Sequence, residues 1–134
     1  MSKVEGGCLC GAVRYTGGDA GGVGVCHCTH CQKTSGSAFS VNVFVKADTV
    51  TMTGPVARFA DVAESGRKVE RKFCSVCGSS IASVAEAFPG MLIIKAGTLD
   101  DRSWVKPGVQ VWAQSKQPWV DLGADLKAFE KGRS

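Results

Sequence analysis

The sequence contains no run approaching the roughly 18 apolar residues of a membrane-spanning helix, and its opening Met1-Ser-Lys-Val-Glu carries no secretory-type apolar stretch. Those absences predict a cytoplasmic protein with no membrane partner. Charge of one sign is scarce as well: 16 Lys and Arg against 12 Asp and Glu leave a formal net charge of +4. The basic concentration Arg67, Lys68, Arg71 and Lys72 is interleaved with Val69, Glu70 and Phe73, the pattern of a half-solvated strand rather than of a nucleic-acid tract. Nucleic acid is therefore not an expected partner. Internal repeats are absent, and helical periodicity is nearly so.

What is there fits a packed domain. A chain of 134 residues has the usual size of one domain, here 1–134, and 44% hydrophobic against 21% charged residues is the balance of a globular core. Hydrophobic alternation punctuated by glycine predicts a mainly β fold. The expected strands are 13–16, 39–45, 50–53, 57–62, 68–73, 81–84 and 91–96, with 39–62 forming a β-meander. Asp19 to Gly24 reads as a flexible turn leading into Val25, Thr29 to Thr34 as a short helix, and Leu122 to Phe129 as a second one.

Cysteine carries most of the information. In a reducing compartment disulfides are rare, and an odd total of seven cannot pair completely within one chain, so metal binding leads. A tetrahedral zinc needs four ligands, and local pairs supply two at a time from one tight turn. Cys8-Leu9-Cys10-Gly11 and Cys74-Ser75-Val76-Cys77-Gly78 are two such pairs, each closed by a glycine that allows a positive φ and lets the backbone turn its N–H groups toward the thiols. Together they predict a four-thiolate structural zinc that joins distant segments; buried, unligated thiols are the bland alternative.

The remaining thiols lie in Cys26-His27-Cys28-Thr29-His30-Cys31, one ligand short of a closed site. An open fourth position suits an incoming small thiol, whose pKa a zinc ion lowers. A closed site with His27 or His30 as fourth ligand, and a redox pair Cys28 and Cys31, are the competing readings.

The chain as a whole resembles the glutathione-dependent formaldehyde-activating enzyme family, which includes the centromere protein V type of domain. The elements that carry the resemblance are Gly7-Cys8-Leu9-Cys10-Gly11 with Val13-Arg14-Tyr15, Cys26 to Cys31 with Ser35-Gly36, and Phe73-Cys74-Ser75-Val76-Cys77-Gly78-Ser79. Gly97-Thr98-Leu99-Asp100-Asp101 and the closing Ser115-Lys116-Gln117-Pro118-Trp119 complete them in order. The resemblance implies a β-tent fold of twisted antiparallel sheets with short helical segments. It implies one zinc on Cys8, Cys10, Cys74 and Cys77 and a second on Cys26, Cys28 and Cys31. The implied activity is condensation of glutathione with formaldehyde to S-hydroxymethylglutathione, a carbon–sulfur lyase reaction run in reverse. Gln110 stands where many relatives carry histidine, so a histidine-dependent step is not expected, and the sequence identifies no catalytic acid or base. A non-catalytic, zinc-stabilised binding module, as the centromere relatives suggest, is the alternative function.

Trp104, Trp112 and Trp119 are expected in the core or at its rim, and Phe39, Phe44, Phe59 and Phe73 in the core. Arg14, Lys33 and Arg71 are candidates for contacting carboxylates, while Asp100 and Asp101 read as turn residues.

Overall fold

The computed structural model describes residues 3–132. A three-stranded antiparallel sheet is built from β1 (Lys3–Gly7), β2 (Arg14–Asp19) and β5 (Val50–Thr53), in the order β1-β2-β5. The remaining strands are β3 (Val23–Cys26), β4 (Ser40–Lys46), β6 (Val56–Val62), β7 (Lys68–Cys74), β8 (Ser80–Ala85), β9 (Met91–Lys95), β10 (Val109–Val111) and β11 (Lys127–Ala128). They form one eight-stranded sheet ordered β11-β10-β3-β4-β9-β8-β7-β6. Its pairings are antiparallel from β3 to β6, but β10 runs parallel to both β3 and β11, because a long connection rather than a hairpin returns the chain to that edge.

The pleat of β4 explains how one sheet serves two purposes. Side chains alternate across a strand, so Val41, Val43 and Val45 face one way and Ser40, Asn42 and Phe44 the other. The valine face meets the small sheet: Val43, Val45, Ile81 and Ile94 pack with Val4, Val13 and Tyr15 in one buried cluster. Each such side chain contributes about 1.5–3 kcal/mol on burial. The Asn42 face is left to line a cleft.

The mainly β expectation holds, and the helix expected at 29–34 is α1 (Thr29–Ser35). Elsewhere the structure departs from the expectation. The glycine-bearing strands β1 and β3 were not expected as strands; in β1, a Cβ on Gly6 would lie 2.1 Å from the Thr98 carbonyl oxygen, so the close approach of the backbones requires glycine. The expected meander breaks, because β5 leaves its neighbours to pair with β2 in the small sheet. The expected helix at 122–129 does not form: Gly123 sits at φ 90°, and the chain instead lays β11 beside β10, with the Phe129 N–H donating to the Gln110 carbonyl at 2.9 Å. Half-burial of Leu122, Leu126 and Phe129 produced the spurious helical spacing. Phe59 and Trp119, expected in the core or at its rim, are 58% and 73% exposed.

Candidate metal centres and the adjoining cleft

The turn after β1 and the turn after β7 bring Cys8, Cys10, Cys74 and Cys77 together, with all four sulfurs within 4.8 Å of one another. The Sγ of Cys10 lies 3.6 Å from that of Cys8 and 3.8 Å from that of Cys74. A Zn–S bond of about 2.3 Å in a tetrahedron places sulfurs about 3.8 Å apart, so this donor set fits zinc. The glycines behave as their positions demand: Gly11 and Gly78 have φ of 82° and 81°. Curled this way, the backbone donates Val13 N–H to Cys8 Sγ at 3.2 Å and Val76 N–H to Cys74 Sγ at 3.4 Å. The Val13 amide pulls the Cys8 thiol below its usual range, and the Ser79 hydroxyl brings Cys77 down to about 5. Cys10 goes the other way: the Ala12 amide favours its thiolate, but the neighbouring cysteines, Cys8 first, push it up to about 11. Four adjacent thiols cannot all ionise without a cation to neutralise them. The group bridges the two sheets, since Cys8 and Cys10 follow a strand of the small one and Cys74 ends a strand of the large one.

The second group is more local. Cys26 ends β3, Cys28 caps the N-terminus of α1, where its Sγ accepts the Cys31 N–H at 3.3 Å, and Cys31 lies one turn into the helix. Their three sulfurs also lie within 4.8 Å of one another. Hydrogen bonding from Cys26 and Cys28 lowers the Cys31 thiol, while the same pairing with Cys28 and Cys31 raises Cys26. One shared negative charge is the most this trio supports unaided.

Neither histidine lies among these sulfurs, against the competing closed-site reading. His27 is fully buried with Nε2 2.9 Å from Gln110 Oε1, and His30 Nδ1 pairs with Asp61 Oδ2 at 2.8 Å. Gln110 is thus a partner of the buried ring. The closing motif has a local role too: Trp119 Nε1 donates to Gln117 Oε1 at 2.8 Å, Gln117 Nε2 to Gln32 Oε1 at 2.9 Å, and Gln32 Nε2 to the His27 carbonyl at 2.8 Å. The cysteine-bearing loop and helix are held from behind by this relay.

Cys26, Cys28 and Cys31 open onto a cleft of about 990 Å³, lined largely by apolar side chains such as Phe44, Ile93, Val109 and Trp112. That is the size and character of a small-molecule site. Of Arg14, Lys33 and Arg71, the cations named as candidate carboxylate contacts, Arg71 lines the cleft. Its guanidinium meets Asp61 Oδ2 at 2.9 Å, and although burial opposes it, the His30 and Arg71 contacts hold the Asp61 carboxyl below its usual range. Arg14 is paired with Asp100 on the small sheet, and Lys33 is exposed on α1. Asp101 accepts from Ser103 within a turn, as expected of it, whereas Asp100 serves as the partner of Arg14. Sequence reasoning missed Lys95 and Asn42, which also line the cleft, with Lys95 Nζ donating to Asn42 Oδ1 at 2.7 Å. Their signal was a polar residue inside each of the apolar runs Val41 to Val45 and Leu92 to Ala96.

The fold and site define a mainly β protein with two cysteine clusters of metal-binding type, one beside a cleft. The chain belongs to the family described as "Glutathione-dependent formaldehyde-activating enzyme", whose profile matches residues 3–115. A Halomonas elongata protein named "Putative glutathione-dependent formaldehyde-activating enzyme" is 29% identical over 126 residues, covering 89% of this chain and 80% of that protein. A Penicillium rubens protein of the same name is 28% identical over 112 residues, 81% of this chain and 56% of that longer protein. A crystal structure of a Rhodobacter sphaeroides protein superposes with a TM-score of 0.60 at 16% identity, covering 77% of this chain and 91% of the other, which is a likeness of fold.

Proposed function

We propose that residues 1–134 form one zinc-dependent enzyme domain that adds a small thiol to an aldehyde, with glutathione and formaldehyde as first candidates and S-hydroxymethylglutathione as product. This is the carbon–sulfur lyase reaction in the synthetic direction. The observation that carries the reading is a cluster of three sulfurs, with no histidine nitrogen among them, opening onto a cleft of about 990 Å³. Cys8, Cys10, Cys74 and Cys77 would hold a structural zinc, and Cys26, Cys28 and Cys31 a second zinc with a position left for a guest. When bound, that second ion supplies Lewis acidity that keeps a thiol deprotonated near neutral pH.

The chain's own residues do the rest. The Cys28 cap and the glutamine relay fix the three sulfurs, so the guest sulfur is presented in one place. Apolar cleft walls exclude water and hold the aldehyde carbon near that sulfur, which replaces a bimolecular encounter with a positioned one. Zinc content per chain, measured before and after dialysis against millimolar glutathione with folding followed in parallel, tests the reading together with formaldehyde consumption by NMR. Expected is a thiol-responsive second zinc, an intact fold and accelerated consumption. Inert zinc and no acceleration would refute the enzyme reading in favour of a non-catalytic binding module.

A further inference from the structure

The strand register orders the cleft wall. On the cleft face, Cys26 pairs with Ser40, Gly24 with Asn42, and Asn42 with Lys95, while the next row along runs through Phe44, Ile93, Ser83 and Arg71. Successive same-face rows are about 6.7 Å apart. Lys95 therefore stands one row from the row of Cys26, on the side that leads into the cleft. A polar ladder joins the two rows: Lys95 Nζ donates to Asn42 Oδ1 at 2.7 Å and Asn42 Nδ2 donates to Ser40 Oγ at 3.0 Å.

A desolvated ammonium normally sits against a carboxylate, and among the described residues Lys95 has no such ion pair. Burial pulls its pKa down. Glu64, an acidic residue of the cleft lining, is occupied with the Thr29 amide and hydroxyl at 2.7 and 2.6 Å. The positive charge faces the cleft with one neutral amide to hold it.

We propose that Lys95, oriented by Asn42, is an oxyanion subsite that receives an anionic oxygen two or three bonds from a sulfur bound at Cys26, Cys28 and Cys31. This rests on the reading that a thiol binds there, and it narrows the substrate class to thiols that carry, or acquire in reaction, a negative oxygen close to sulfur. In the aldehyde addition, the sulfur lone pair forms the C–S bond and the carbonyl π pair moves onto oxygen, where the ammonium donates a hydrogen bond to it. The proton lost by the thiol on binding returns to that oxygen through solvent, so RSH and CH2O give RSCH2OH with no further reactant.

Mercaptoacetate, with a carboxylate oxygen three bonds from sulfur, is a stable mimic, and 2-mercaptoethanol is its neutral counterpart. Calorimetric titration of the zinc-loaded protein with each is expected to show mercaptoacetate binding about tenfold tighter, equivalent to about 1.4 kcal/mol. In Lys95→Met, with zinc content unchanged, that preference should vanish, and Lys95→Arg should retain part of it. If Lys95→Met does not fold, Asn42→Ala takes its place, with the preference cut about threefold. Equal affinities in the wild type, or an undiminished preference in the variants, would overturn the proposal while leaving the thiol reading standing. Loss of the second zinc in Lys95→Met but not in Lys95→Arg would also overturn it, assigning Lys95 to balancing the thiolates. Silence toward both thiols would sink the thiol reading and this proposal with it.

Discussion

Replacing Cys77 with serine removes one sulfur from the group that ties the end of β1 to the end of β7. Cys10 and Cys74, whose sulfurs are 3.8 Å apart, are separated by 64 residues. A cross-link closing a loop of that length restrains the unfolded chain by about 4 kcal/mol, comparable to much of the 5–15 kcal/mol that stabilises a typical domain. With an unfolding entropy of about 2.1 cal/mol/K per residue, loss of that restraint in a 134-residue chain lowers Tm by about 14 °C. Cys28→Ser removes a ligand from a group spanning six positions, where the same loop estimate gives about 2 kcal/mol before any credit for structure already present. That segment is also held by the helix cap, by β3 and by the glutamine relay, so the observed loss should be smaller. Thermal unfolding of both variants by circular dichroism, with zinc content measured on the same samples, provides the comparison. Equal or greater destabilisation by Cys28→Ser would refute the division into a structural and a substrate-facing site.

Gly78→Ala should weaken metal retention and lower stability by about 1 kcal/mol, because a Cβ is strained at φ 81°; a chelator-competition assay reads the first and thermal unfolding the second. Asp61, held below the usual carboxyl range by His30 and Arg71 against the cost of burial, contributes stability above that range and loses it as pH falls through its folded value. Asp61→Asn should therefore be less stable than the wild type at neutral pH and converge with it in acid, in denaturant titrations across pH; a constant gap at every pH would contradict the pairing.

Much of the site was legible in the sequence because its signal is local. Thiols two and three positions apart followed by glycine can be read without knowing the fold, since one turn determines their geometry. The second group, Cys26 to Cys31, was equally visible, as was the short helix that carries Cys31. Long-range choices were not legible. Whether β5 pairs with β4 or with β2 depends on which apolar face finds a partner, and nothing within Val50 to Thr53 encodes that. Glycine-containing β1 and β3 lack strand propensity and exist because close backbone approach at Gly6 and pairing with β4 stabilise them.

The sequence by itself determined the mainly β character, the two cysteine groups and the family, because alternation and ligand spacing are properties of neighbouring residues. Only the tertiary structure decided where the two histidines and the cleft lie. It turned His27 toward Gln110 and His30 toward Asp61, and it set Lys95, 64 residues after Cys31, one strand row from Cys26. Register across the large sheet makes those juxtapositions, and register is settled by packing against the other sheet, over distances that sequence spacing does not measure.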